Sequence, residues 1–202
     1  MTSPVTATTL SGGIALLERA MGYTLGALQL VTPQDMGRPT PCRDWDLHDL
    51  LLHMNDSLLT MHEAVTTGHV DLDTNVDVGR HHVDYGEVSV DPVGSLRNRA
   101  CAMIGVWAAA RGPTEISIAE LPLASGLVAA IGAVEVAVHG WDVARACGRD
   151  RPLPPALAER LLELSRSVVD DGDRPLRFAT AVPVPTSAGP SDELLAFLGR
   201  QP

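Results

Sequence analysis

Leu10, Ile14, Leu17, Met21, Leu25 and Leu28 recur at intervals of three and four, the spacing that lines one face of an α-helix. This pattern predicts a first helix over about 10–31, ended by Thr32-Pro33 and the prolines at 39 and 41. Leu47, Leu50, Leu51, Met54, Leu58, Met61 and Val65 repeat the pattern, with Asp44 or Asp46 available as N-cap and Gly68 as the stop. From His69 to Val90 the periodicity lapses, and a long loop, or one carrying a short helix, is expected. Asp91-Pro92 is an N-cap followed by proline at the first helical position, opening a third helix through Leu96, Ala100, Met103 and Trp107. Arg111-Gly112-Pro113 ends it, and 114–121 reads as a short strand or extended connector. A fourth helix is expected over about 124–146 with Gly148 beyond its end, a fifth from Pro154-Pro155 through Val168, then an extended Pro-rich stretch and a last short helix at 192–198. The sum is an all-α protein, four core helices as a bundle with a C-terminal helical and extended arm packed on it.

Composition narrows the picture. The 202 residues suit a single domain over 1–202, its core at about 8–150 and its arm at about 151–202. Aromatic residues make up only 3% while Leu, Val and Ala carry the apolar content, which favours helices. The 15 Lys+Arg against 25 Asp+Glu give a net charge of −10, and no basic run offsets it, so neither nucleic acid nor an anionic membrane surface is an expected partner. Cys42, Cys101 and Cys147 are too few and too scattered for a disulfide framework or a CxxC motif, and are read as reduced thiols. The opening residues lack the basic and apolar regions of a secretory signal, so a cytoplasmic protein is expected. The stretch 121–138 is apolar enough to raise the question of a membrane span, but Glu135 within it and His139 after it favour a buried core helix.

Those two residues also open the chemistry. Glu135 and His139 stand four apart, so their side chains project to one side of the fourth helix, and Asp142 follows on that face. A carboxylate and an imidazole one turn apart suit a divalent metal held inside a bundle, although such a pair also hydrogen-bonds internally without any ion. A metal needs a further ligand from another helix; the second helix offers His48, His53 and His62, and periodicity does not choose among them.

The segment from Thr40-Pro41-Cys42 through Trp45 and Leu50 to His53, the segment Val138-His139-Gly140-Trp141-Asp142, and the ending Phe197-Leu198-Gly199-Arg200 together resemble the DinB-like metal-binding superfamily. Within it, they are similar to the branch related to the N-terminal domain of mycothiol-dependent maleylpyruvate isomerase. The resemblance implies a four-helix bundle whose metal is held by His53, Glu135 and His139, with open positions for substrate. It also implies thiol-dependent chemistry, in which a mycothiol-type cosubstrate is held as thiolate near the metal and adds to a small electrophile, by S-transfer or thiol-assisted isomerisation. Zinc is the favoured ion, with nickel and iron compatible. Asp142 either orients His139 or belongs only to the helix end, and Arg145, three residues on, is expected to pair with it. Trp45 and Trp141 are expected to pack, His81-His82 to be solvated, and Cys42, with only Arg43 adjacent, is not assigned as a nucleophile.

The isomerase carries an additional C-terminal domain, whereas only 152–202 follow the bundle here. The expectation is therefore another small-molecule substrate, or a homodimer that completes the pocket. Other readings are a noncatalytic metal- or ligand-binding protein, and a metal-assisted hydrolysis or rearrangement without thiol.

Overall fold

A computed structural model describes residues 9–42, 44–70, 88, 90–109, 115–174 and 178–202. The expected histidines at 81 and 82, and most of the expected loop at 69–90, lie outside the described residues. Among the described residues six helices carry the fold: α1 (Leu10–Leu28), α2 (Leu47–Thr67), α3 (Pro92–Ala109), α4 (Ser125–Ala146), α5 (Pro155–Val168) and α6 (Pro190–Phe197). The first four form the expected bundle. In it α1 packs on α4 and α3, while α2 packs on α3 and α4; α5 lies against α4 and α6 against α5.

The helix ends follow from local chemistry. Thr9 Oγ1 accepts from the Gly12 N–H at the start of α1. Of the two aspartates before α2 it is Asp46 that caps, in a reciprocal box with Asp49, while Asp44 sits in the turn at φ 65°. Gly68, at φ 73°, ends α2 in the left-handed conformation. Leu17, Met21, Leu28, Leu50, Leu51, Leu96, Met103 and Trp107 fill the core from α1, α2 and α3.

The expected strand at 114–121 forms as the middle strand of a sheet whose two outer strands have no signal in the periodicity. β1 (His69–Val70), β2 (Glu115–Ile118) and β3 (Leu121–Ala124) make a small sheet in that order, β1 parallel and β3 antiparallel to β2. The apolar stretch from 121 is thus strand for four residues before α4 begins at Ser125. α4 is long and apolar enough to cross a bilayer, but 83% of its most apolar window is buried within the protein, as a core helix requires.

The α1–α4 seam is close because side chains are small there. A Cβ on Gly13 would stand 2.1 Å from the Gly126 carbonyl oxygen, and one on Gly140 would stand 2.3 Å from Thr24 Oγ1. Thr24 in turn donates 2.7 Å to the Val136 carbonyl across the seam. This contact clamps the part of α4 that bears Glu135 and His139.

Candidate metal centre

His53 projects from the second turn of α2 toward α4, and Glu135 and His139 project from α4 toward it. His53 Nε2 lies 2.8 Å from Glu135 Oε1, and His139 Nε2 lies 3.2 Å from the same oxygen. The three donor atoms are all within 4.8 Å of one another. Ligands held at about 2.1 Å in a tetrahedral site stand about 3.4 Å apart, so this donor set fits a divalent ion with small side-chain adjustments. Of the three second-helix histidines, His53 is the one that meets Glu135. His62 lies nine residues further along α2, roughly 13 Å along its axis, and His48 lies at the helix start beside Asp46 and Asp49.

Behind His139 the site is dry. Asp142 is fully buried, and its Oδ2 accepts from His139 Nδ1–H at 2.9 Å. With Nδ1 protonated and engaged, Nε2 is the nitrogen that faces Glu135 and His53. Of the two readings left open for Asp142, the structure therefore places it on His139. The expected Arg145–Asp142 pair does not form: Arg145 is exposed with its guanidinium 5.2 Å from the Trp141 ring centre. The cation at Asp142 is Arg200, which donates 3.0 Å to Oδ2 from NH2 and 3.5 Å to Oδ1 from Nε. Cys42 completes this cluster, its Sγ 3.4 Å from Asp142 Oδ2, 3.5 Å from Arg200 NH2 and 3.7 Å from His139 Nδ1.

The electrostatics follow from these contacts. Burial pushes the Glu135 carboxyl up, but the imidazoles of His139 and His53 outweigh it and hold the group well below its usual range. Burial lowers His139, yet Glu135 on one nitrogen and Asp142 on the other raise it well above an ordinary imidazole. Asp142, penalised by burial, is held low by Arg200 and His139. An imidazolium between two carboxylates is thus the form without metal, and a cation at Nε2 would replace the proton there.

The loop before α2 builds one wall. Thr40 Oγ1 donates to the carbonyls of Cys42 and Trp45, fixing a tight turn that carries both residues over the site. Trp45 stacks at a tilt on His53, ring centres 4.6 Å apart, so it lines the site as well as packing on the core. Trp141 is buried, as expected of an anchor. Ser57, one turn beyond His53, donates 3.3 Å to Glu135 Oε1. The His53-to-Ser57 spacing of four was the available signal for this residue, and it is too common to single out a site. Arg200 stands in the resembled ending Phe197-Leu198-Gly199-Arg200, but nothing in the sequence pairs it with Asp142, 58 positions away.

Two uncharacterized proteins, from two strains of Mycobacterium tuberculosis, are each 29% identical to this chain over 191 residues, covering 91% of it and 94% of their own length. No solved structure matches the chain. The family model described as the mycothiol maleylpyruvate isomerase N-terminal domain matches residues 17–144, which include all three converging donors, and the chain belongs to that family.

Proposed function

We propose that this protein is a divalent-metal-dependent enzyme that uses a small thiol of the mycothiol type to transfer to, or isomerise, a small electrophilic metabolite. The observation that carries the reading is the convergence of His53 Nε2, Glu135 Oε1 and His139 Nε2 at one point, with His139 oriented from behind by Asp142. Three donors of this kind leave coordination positions open, the property that separates a catalytic from a closed structural site. A bound divalent ion, with zinc favoured and nickel or iron compatible, would lower the pKa of a thiol or water and polarise a carbonyl.

The chain's own residues supply the rest. Asp142 holds the His139 proton on Nδ1, and Ser57 orients Glu135 Oε1. Trp45 stands over His53 and covers one face of its ring. Membership of a mycothiol-related family favours thiol chemistry over a reaction without thiol.

The test is elemental analysis of protein purified without a metal-affinity tag, for the native chain and for His53→Ala and Glu135→Ala. Near-stoichiometric metal is expected in the native chain and its loss in both variants, followed by metal-dependent consumption of a thiol with an electrophile. Stoichiometric metal with no turnover for any thiol and electrophile pair would favour a noncatalytic binding protein. No uptake after incubation with zinc, nickel or iron would refute the metal centre.

A further inference from the structure

We infer that Arg200, delivered by the arm after α6, is a positioning residue of the metal centre: through Asp142 it fixes the His139 tautomer that leaves Nε2 free to ligate. The inference rests on the metal reading above and assigns to that site a residue outside the bundle.

The arm is built to place this guanidinium. α6 ends in a Schellman turn: the Gly199 N–H bonds the Ala196 carbonyl at 3.0 Å and the Arg200 N–H bonds the Leu195 carbonyl at 2.8 Å. Gly199 lies at φ 83°, in the left-handed region, with Ala179 packed where a Cβ would be. The turn sends the Arg200 side chain back into the bundle, where NH1 is tied to the Leu198 carbonyl at 3.0 Å. Nε and NH2 are left for the two oxygens of Asp142.

The chemistry at Asp142 requires such a partner. A histidine that ligates through Nε2 is neutral, because the lone pair on that nitrogen is given to the metal. It then offers Asp142 a hydrogen bond but no charge. Asp142 has no exposure to water, and an uncompensated buried carboxylate is costly. Arg200 is the one cation that contacts it among the described residues. The guanidinium therefore keeps the carboxylate charged and in plane, and the oriented carboxylate keeps the His139 proton on Nδ1. Cys42 closes the same cluster, so the three side chains behind the ligand set come from the loop before α2, from α4 and from the arm.

The test is zinc affinity by competition with a chromophoric chelator, on full-length protein stripped of metal, for the native chain, Arg200→Gln, Arg200→Lys, Asp142→Asn and the Arg200→Gln/Asp142→Asn double variant. Arg200→Gln is expected to weaken zinc binding roughly 10-fold, as loss of a partner to a ligand's partner does. Arg200→Lys, which keeps the charge but loses the two-pronged geometry, is expected between the two. In the Asp142→Asn background the same change is expected to cost nothing further, because Arg200 acts through that carboxylate.

A second readout is the exchangeable Nδ1–H signal of His139 in the NMR spectrum of the cobalt-loaded protein. It is expected to exchange with water faster in Arg200→Gln than in the native chain, a change that loosening the arm elsewhere would not cause. Native affinity in Arg200→Gln, an equal loss with and without Asp142, or an unchanged Nδ1–H signal overturns the inference while leaving the metal centre standing. If Arg200→Gln does not fold, judged by circular dichroism of the stripped protein, the Arg200→Lys and Asp142→Asn results decide on the same criteria. A native chain that takes up none of zinc, nickel and iron removes both readings at once.

Discussion

Replacing Gly140 by alanine tests whether the α1–α4 seam holds the site in place. The new Cβ would stand 2.3 Å from Thr24 Oγ1 and 3.1 Å from both Thr24 Cα and Cβ. Rotating the hydroxyl away relieves the first contact but gives up the 2.7 Å bond to the Val136 carbonyl, a buried bond whose loss costs about 1–3 kcal/mol. The contact with Cα belongs to the backbone and yields only if the helices part, at an overpacking cost of about 1–3 kcal/mol. Against these stands the better helix propensity of alanine, about 1 kcal/mol. The net expectation is a loss of about 1–5 kcal/mol, or roughly 2–20 °C in melting temperature for a chain of this size. Thermal unfolding of the metal-stripped protein followed by circular dichroism reads it directly. In a Thr24→Ala background the clash with the hydroxyl is gone, so the penalty of Gly140→Ala is expected to shrink by about 1 kcal/mol or more. A Gly140→Ala protein that melts at or above the native temperature would refute the seam argument, as would an equal penalty in both backgrounds.

Two further outcomes follow from the same contacts. Without metal, His139 titrates above its ordinary value of 6.5, so the stability it contributes is complete below about 6.5 and is lost as pH rises through the raised value. Glu135 titrates below its ordinary 4.5, so its contribution is present above about 4.5 and is lost as pH falls through the lowered value. Denaturant titrations should therefore find the stripped chain more stable at about pH 5.5 than at about pH 8, with the difference reduced in His139→Asn; a flat profile in the native chain contradicts the imidazolium. Gly199→Ala forces a side chain into φ 83° with Ala179 Cβ 2.6 Å away, and is expected to cost about 1 kcal/mol or more and to weaken zinc binding by displacing Arg200. Chelator competition and melting on one sample separate the two effects, and native zinc affinity in this variant would count against the role of the turn.

The bundle was legible because its helices are amphipathic at regular spacing and their ends carry ordinary signals, such as Asp46 before α2 and Gly68 after it. Of the small sheet only β2 was legible, in the expected strand or connector at 114–121; β1 has two residues and β3 opens the apolar run that continues into α4, so no change of period marks the boundary. Within the site, Glu135 and His139 announced themselves by sharing one helix face. His53 did not stand out from His48 and His62, since choosing among histidines of one helix requires knowing how α2 is turned toward α4. The set of the resembled family named His53, and the geometry brings that residue to Glu135. The i,i+3 spacing of Asp142 and Arg145 predicts an ion pair between them, but Asp142 points into the core and Arg145 away from it. The resembled ending includes Arg200, but distance along the chain hid its pairing with Asp142.

The unequal exposure of the cluster fixes the side from which chemistry can reach it. Asp142 and His139 are 0% and 8% exposed at the side chain, whereas His53 and Glu135 are 30% and 37% exposed. Among the described residues the rear is closed by Cys42, Asp142 and Arg200, all engaged with one another, so the open side of the donors is the one at His53 and Glu135. On that side stand the Trp45 ring against His53, the Ser57 hydroxyl on Glu135, and Ile131, exposed one turn before Glu135 on α4. A single exposed isoleucine is ordinary on a protein surface, but this one places apolar area one turn from Glu135, beside the open side of the donors. It becomes useful once a molecule with apolar surface lies between it and Trp45. Substrate selection is therefore expected to respond to Ile131 and Trp45, and metal affinity to the Asp142–Arg200 rear; exchanging Ile131 for serine should change which electrophiles are turned over and leave metal content as it was. Metal lost on Ile131→Ser, with selectivity among the electrophiles unchanged, would show that the two sides are not divided in this way.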